Sequence, residues 1–482
     1  MKRTILKMTV VLALVLALAL PVAACVVKGP GGNGESETGG GILGPTDIVP
    51  EGSTVLRLAY FKAGYGDEWM REYCRSYHKL HEEIYFLLEG NVSIDGSIEG
   101  RLRAAESGMP VVDLFTTQTI SAFELFAKNG WVEDLTDLYE EDIGDGYTMS
   151  ELMEERCDEY AGIGGSKYVV PWVNAVTGFV YNKKMFAQYN WALPKTLEDL
   201  LTLFSKIKTD TGGKVKPMAF NGSQGGYFNT IAPQWFAQYA GESKYNEFYR
   251  FESPDVFKMS GRLEMYQALQ TLFEDKANFP AGVGGYDHIA AQTAFLDGEA
   301  AIIPNGSWLE TEMSEYWKNS KYSGFEMAFM PLPKIYASKS GDKLLDAAGN
   351  EVKDYNISTT TGFFIPKRSA NKAVIKDFLK LMHTQENLKI FAEKAGAPRP
   401  FEIKTKDYSY LSSAFKKSMM ELYQNSVKVT DYSDALIFRS GEVVFAPNNS
   451  AYSTKIFNGF NVNTMVTDEY NYAKQRFDAF FG

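Results

Sequence analysis

The chain has 482 residues, a net charge of −11, and 14% aromatic residues within a 45% hydrophobic composition. That size supports a large core and predicts a division into two lobes, while the acidity argues against nucleic acid, which calls for a basic patch. Four histidines leave little material for a metal or catalytic-triad enzyme, and three cysteines are few for a secreted chain.

In chain order, Lys2, Arg3 and Lys7 give a basic start, and Val10 to Leu20 is a continuous apolar run. A charged start, a short apolar run and small residues at a cut site read as a signal peptide over 1–24. The run is too short for a membrane span, which needs about 20 apolar residues. Val22-Ala23-Ala24-Cys25 resembles the bacterial lipobox. That resemblance implies cleavage before Cys25 and acylation of its sulfur, so Cys25 is the expected lipid anchor; the plainer alternative is a secretory cut after Ala24. Residues 25–53 are rich in Gly, Pro and Ser and read as a flexible linker. Loss of residues 1–24 removes three positive charges and no negative ones, taking the net charge from −11 to −14. Cys74 and Cys157 remain as either a disulfide or two free thiols.

Val55 to Phe61 reads as the first strand, followed by a Gly-rich turn and a helix from Asp67 to about Glu83. A short helix over 101–107, a buried strand over 110–115 and a helix over 121–129 ended by Gly130 follow. This alternation predicts an open α/β sheet with ligand sites at strand C-termini. Strands are predicted at 168–171 and 178–182, and helices at 183–189 and, capped by Thr196, at 197–209. Helices dominate 227–275, another covers 290–297, and 300–304 is a strand. A polar hairpin with a turn at 348–350 is predicted over 338–355, then a strand at 362–366 and mostly helices.

Several short stretches stand in a telling order. They are Pro110-Val111-Val112-Asp113-Leu114, Gly130-Trp131-Val132-Glu133-Asp134-Leu135-Thr136, Tyr168-Val169-Val170-Pro171 and Tyr181-Asn182-Lys183-Lys184-Met185-Phe186. Pro194-Lys195-Thr196-Leu197-Glu198-Asp199-Leu200, Phe295-Leu296-Asp297-Gly298-Glu299-Ala300-Ala301-Ile302 and Asn305-Gly306-Ser307-Trp308 come next. Met330-Pro331-Leu332-Pro333, Gly362-Phe363-Phe364-Ile365-Pro366-Lys367 and Gly396-Ala397-Pro398-Arg399-Pro400 complete the series. Over about residues 54–400 this order resembles the family 1 extracellular solute-binding proteins of carbohydrate ABC importers. Two departures are a usual Thr-Trp-Asp-Glu-Leu that here reads Thr196-Leu197-Glu198-Asp199-Leu200, and the apparent insertion at 338–355.

The resemblance implies an α/β, two-lobe periplasmic-binding-protein-like fold with a hinge of crossing strands and a central ligand cleft. The crossings are expected near 174–180, 302–307 and 358–364. Lobe one is expected at 54–176 plus 304–360, and lobe two at 177–303 plus 361–482. It further implies a monomer without cofactor that binds a carbohydrate, hands it to ABC permease subunits, and sits on the outer face of the cytoplasmic membrane.

A pyranose needs a flat aromatic platform and neutral donors and acceptors for its hydroxyls. Trp308, just past a strand at a crossing, is where the family places a stacking Trp; packing in the hinge core is its bland alternative. Trp172 and Trp235 are candidates on the same chemistry, each with a core role as the competitor. Phe61 and Tyr65, and Thr117 and Gln118, follow strands where ligand contacts are favoured. Asn305, Asn174, Asn221 and Ser223 offer neutral polar groups. Asp287 or Glu68 are candidate acceptors, and Arg399 faces either the cleft or a salt bridge. Trp131, Trp191 and Trp317 read as structural or peripheral.

Three other readings are open to test. A carbohydrate-active enzyme needs two suitably spaced carboxylates, and no local motif marks such a pair. A peptide receptor shares the two-lobe plan, as does a ferric receptor with Tyr ligands. His78, His81 and Glu82 share a helix face but lack the His-Glu-x-x-His order, so a solvated face is expected. Neither a Walker A loop nor Gly-x-Gly-x-x-Gly occurs.

Overall fold

A computed structural model describes residues 49–91, 95–117, 123–154, 157, 162–250, 253–358, 362–430 and 461–481. The signal peptide, Cys25 and most of the linker lie outside the described residues. Thr54–Phe61 (β1) is followed by the helix Glu68–Leu80 (α1) and by Ile84–Asn91 (β2), which runs parallel to β1. Trp69, Met70, Tyr73, Cys74 and Tyr77 are the buried residues of α1. Their spacing makes one apolar stripe that lies against the core.

Leu114–Thr116 (β3) pairs parallel with β1 on its other side, and Val170–Pro171 (β4) forms the far edge of this sheet. The chain then crosses through 172–176 into Thr177–Asn182 (β5), the first strand of a second sheet. Lys216–Met218 (β6), Ala300–Gly306 (β7) and Met327–Met330 (β8) complete it in the order β8-β5-β7-β6. Gly362–Phe364 (β9) returns to the first sheet, antiparallel between β3 and β4, giving β2-β1-β3-β9-β4. The expected lobe partition put 327–330 with the first lobe and 362–364 with the second. Strand pairing does the reverse, because each crossing is followed by a return that the motifs alone did not reveal.

The second sheet is buried on both faces. Val180, Ala300, Ile303, Met327 and Phe329 join an apolar cluster that is continuous with the core of the first sheet. Phe179, Ala301, Ile302 and Met330 face a second cluster formed with the helices Ala232–Ala240 (α2) and Arg262–Glu274 (α3). Near-continuous apolar strands are what a two-sided sheet requires. Arg262 and Tyr266 both bond the buried carboxylate of Glu469, which pins the C-terminal helix Val462–Phe481 to α3.

Local expectations fare unevenly. Thr196 does cap its helix: its hydroxyl accepts from Asp199 N at 3.2 Å, and the Asp199 carboxylate accepts from Thr196 N at 3.1 Å. The first helix stops at Leu80 rather than near Glu83, and Ile84–Asn91 is a strand where no element was expected. Ser338–Ser340 and Lys343–Leu345 do pair, but around Gly341 rather than at 348–350. Residues 346–350 instead wrap around Asp346, whose carboxylate accepts from the backbone of Ala348 and Asn350. Cys74 and Cys157 are both buried and are not joined in a disulfide.

Candidate functional site

Two crossing segments meet where β5 and β7 begin and end side by side, with Thr177 opposite Gly306. Ser307 N donates to Val176 O at 2.8 Å, and Val176 N donates to the Ser307 hydroxyl at 3.3 Å. Trp308 follows directly, and a single helical turn, Leu309–Glu312, carries the chain away. The indole folds back over Gly306: a methyl group there would lie 2.2 Å from the ring. On the other side, a methyl at Gly64 would lie 3.1 Å from Trp308 Cβ. Gly64 belongs to the loop after β1 and has φ +76°, a conformation that side chains rarely take. Two glycines therefore make room for one half-buried indole.

Aromatic and polar groups gather around it. Tyr227, in the short helix Gly225–Thr230 beyond β6, meets the indole edge to face at 6.4 Å. Tyr65, from the β1 loop, lies beside Ser307 and packs edge-on against Trp172 at 5.4 Å. Burial pushes the Tyr65 and Tyr227 hydroxyls well above the usual phenol range, and the nearby Glu312 carboxylate adds to this. Both stay protonated at neutral pH. Glu312 accepts from Gln292 Nε2 at 2.6 Å and lies 3.9 Å from His288 Nε2. His288 N donates to the Gln224 side-chain oxygen at 2.9 Å, and Asn221 Nδ2 donates to the same oxygen at 3.3 Å. The result is a polar and aromatic network that runs from the first sheet's loop, through the crossing, to the loops of the second sheet.

The candidates from sequence divide on this geometry. Trp308 and Tyr65 belong to the network. Asn305, one residue from the Gly306 cradle, is buried and its side-chain oxygen accepts from Gly306 N. Asn221 joins through Gln224, and Ser223 stands nearby, exposed, donating to Tyr286 O at 2.8 Å. Phe61 is half-buried at the end of β1, its N–H held by the Thr116 hydroxyl at 2.8 Å. Thr117 is fully buried, its hydroxyl oxygen without a hydrogen-bond partner among the described residues, and Gln118 lies outside them.

The remaining candidates are structural. Trp172 is 1% exposed and stacks on Trp69 at 5.1 Å, so apolar packing claimed it for the first core. Trp235 is fully buried in the second core, its indole N–H donating to Pro333 O at 2.8 Å. Asn174 is buried with Nδ2 donating to Tyr423 Oη at 2.9 Å and Glu154 Oε2 at 3.2 Å. Asp287 caps the helix His288–Leu296 (α4), accepting from Ala290 N at 2.8 Å. Glu68 pairs with Arg75 at 2.8 Å on the outer face of α1. Arg399 pairs with no carboxylate among the described residues. It is 1% exposed, donates to the carbonyls of Pro171, Trp172 and Met382, and contacts His383 Nε2 at 2.8 Å.

Tyr227, Ser307, Glu312, Gln292, His288 and Gln224 were not singled out from sequence. Glu312 had a usable signal: it stands four residues after Trp308, hence on the same face of any helical turn. The others arrive through loops and through α4, whose placement no local pattern states. Among the described residues there is no cluster of three or more His, Cys, Asp or Glu side chains suited to a metal. No helix among them is long and apolar enough to cross a membrane. His78 Nδ1 lies 2.7 Å from Ile84 O, and His81 stacks on Tyr77.

Comparisons with known proteins agree with this architecture. The chain is 24% identical over 278 residues to the multiple sugar-binding protein of Streptococcus mutans serotype c, covering 57% of this chain and 59% of that protein. It therefore spans less than two thirds of that relative's length. It is 23% identical over 379 residues to the melibiose/raffinose/stachyose-binding protein MelE of Bacillus subtilis strain 168, covering 77% and 78%. Its fold matches apo RafE from Streptococcus pneumoniae with a TM-score of 0.66 at 17% identity, over 88% of this chain and 98% of that one. The model of the bacterial extracellular solute-binding proteins matches residues 92–389. That stretch takes in three of the five strands of the first sheet, all of the second sheet and the crossings between them, and the chain belongs to the bacterial extracellular solute-binding protein family.

Proposed function

We propose that this chain captures a carbohydrate, an oligosaccharide in the first instance, between its two lobes and delivers it to the permease of an ABC importer. The cradled indole of Trp308 carries this reading. It offers a flat apolar face beside Tyr227, bordered by hydroxyl, amide and carboxylate groups that can pair with sugar hydroxyls. The names of the relatives, which speak of multiple sugars and of melibiose, raffinose and stachyose, support the same class. Contacts from both lobes would favour the closed arrangement, so ligand shifts the population toward the form a permease reads.

Binding without turnover fits the network traced above, which contains one carboxylate, Glu312, where glycoside hydrolysis uses two. The lipobox at Val22–Cys25 and the Gly-rich linker support tethering outside the cytoplasmic membrane through Cys25. The test is a thermal-shift screen of the purified chain against a glycan panel, because a ligand that binds only the folded state raises the melting point. An upward shift with a glycan, lost in Trp308→Ala at unchanged fold, is expected. Shifts with peptides or ferric ion and none with any glycan would overturn the reading, as would release of reducing ends from a bound oligosaccharide.

A further inference from the structure

One side of this network is rich in acceptors and poor in donors. Glu312 N donates to Trp308 O at 2.8 Å, which fixes the carboxylate one turn beyond the indole. One carboxylate oxygen accepts from Gln292 at 2.6 Å, and the other lies 3.9 Å from His288 Nε2. Among the described residues, no Lys or Arg lies within ion-pairing distance of Glu312, although its side chain is only 21% exposed. Gln292 is fully buried on α4, and its Oε1 has no hydrogen-bond partner among the described residues. A buried acceptor without a donor is costly. A carboxylate and an amide oxygen side by side add negative potential, and neither carries a proton to give. The charge of Glu312 reaches both the Tyr65 and Tyr227 hydroxyls, so it lies beside the aromatic groups that frame the site.

We propose that Glu312, with the unpartnered Gln292 oxygen beside it, is a specificity-determining residue. It takes a hydrogen-bond donor from the ligand, a hydroxyl or an ammonium, and rejects sugars that present a carboxylate there. This rests on the carbohydrate reading. A uronate brought to Glu312 would set like charges together in a partly desolvated site, which is how an interface discriminates by repulsion.

The test uses the purified chain and calorimetry with tetrasaccharides of three linkages, α-1,4, α-1,6 and β-1,4. Each linkage is supplied in neutral, amino and uronate forms. On the skeleton that binds, the uronate should bind at least about tenfold more weakly than the neutral form. Glu312→Gln should narrow that gap by about tenfold, and Glu312→Asp should keep it. Tighter binding of the amino form would identify an ammonium as the donor; equal binding would identify a hydroxyl. A second measurement needs no variant: raising the salt from 0.1 M to 1 M, which shortens the screening length from about 10 Å to about 3 Å, should shrink the uronate penalty and spare neutral binding. A Glu312→Gln chain that binds the neutral form yet excludes the uronate as strongly as before would overturn this assignment and leave the carbohydrate reading standing. So would a salt-independent gap. If no member of the panel binds, the carbohydrate reading fails and this assignment with it.

Discussion

Replacing Gly306 with alanine tests the cradle directly. The added methyl would sit 2.2 Å from the Trp308 ring, against the 3.4–4 Å of ordinary contact, so the indole must move by more than an ångström. Gly306 has no positive φ, and its place in β7 opposite Thr177 suits alanine, so the conflict comes from the ring, whose atoms are the three nearest to the added methyl. Forcing a side chain off its rotamer costs about 0.5–1.5 kcal/mol, and overpacking about 1–3 kcal/mol. A displaced aromatic platform forfeits a further contact of about 0.5–1.5 kcal/mol with the ligand. We therefore expect a stability loss of about 1–2 kcal/mol and an affinity loss of about tenfold, at 1.4 kcal/mol per decade. The assay is a double-mutant cycle with Trp308→Ala, read by urea melts and by calorimetry with a bound glycan. In the Trp308→Ala background the methyl meets no ring, so its cost should disappear. Additive effects, or a Gly306→Ala chain as stable and as tight-binding as the parent, would refute the reasoning.

Two further outcomes follow from buried charges. Arg399→Ala should destabilise the chain by about 3 kcal/mol or more, because it strands three buried carbonyls and opens a cavity; a urea melt showing a loss within 1 kcal/mol would contradict that role. Burial pushes the Glu154 carboxyl up to about 7, against hydrogen bonds from Tyr423 and Asn174 that pull it down. The folded chain then holds this proton while the unfolded chain has released it near the usual carboxylate range. Stability should fall as pH rises from about 4.5 to about 7 and level off above; Glu154→Gln should flatten that part of a melting-temperature profile.

Much of the fold was legible because its signals are local. Alternating apolar residues marked β1, the Thr196 cap marked a helix start, and the order of short motifs marked the two-lobe plan. Strand membership was not legible, since β8 and β9 change sheets through pairings far apart in sequence. Trp308 and Tyr65, marked by residue type and a place at a strand end, come together in one network. Trp172, Trp235 and Arg399 have the right chemistry for a cleft, yet they are buried in apolar packing or against backbone carbonyls, a placement that no local pattern states. Glu312 and Gln292 were missed because their importance lies in what they lack, and a missing partner is a property of three dimensions.

The insertion of β9 between β3 and β4 has a consequence for how the chain acquires its structure. β1, α1, β2 and β3 are close in sequence and can assemble as soon as they emerge. β4 cannot join them, because its neighbour in the sheet is β9, made only after the whole second sheet has been passed. Closing so long a loop is slow relative to local contacts. The first sheet thus begins at the N-terminal end of the domain but waits for its last strand, and during that interval the edge of β3 stands open to pairing with another chain.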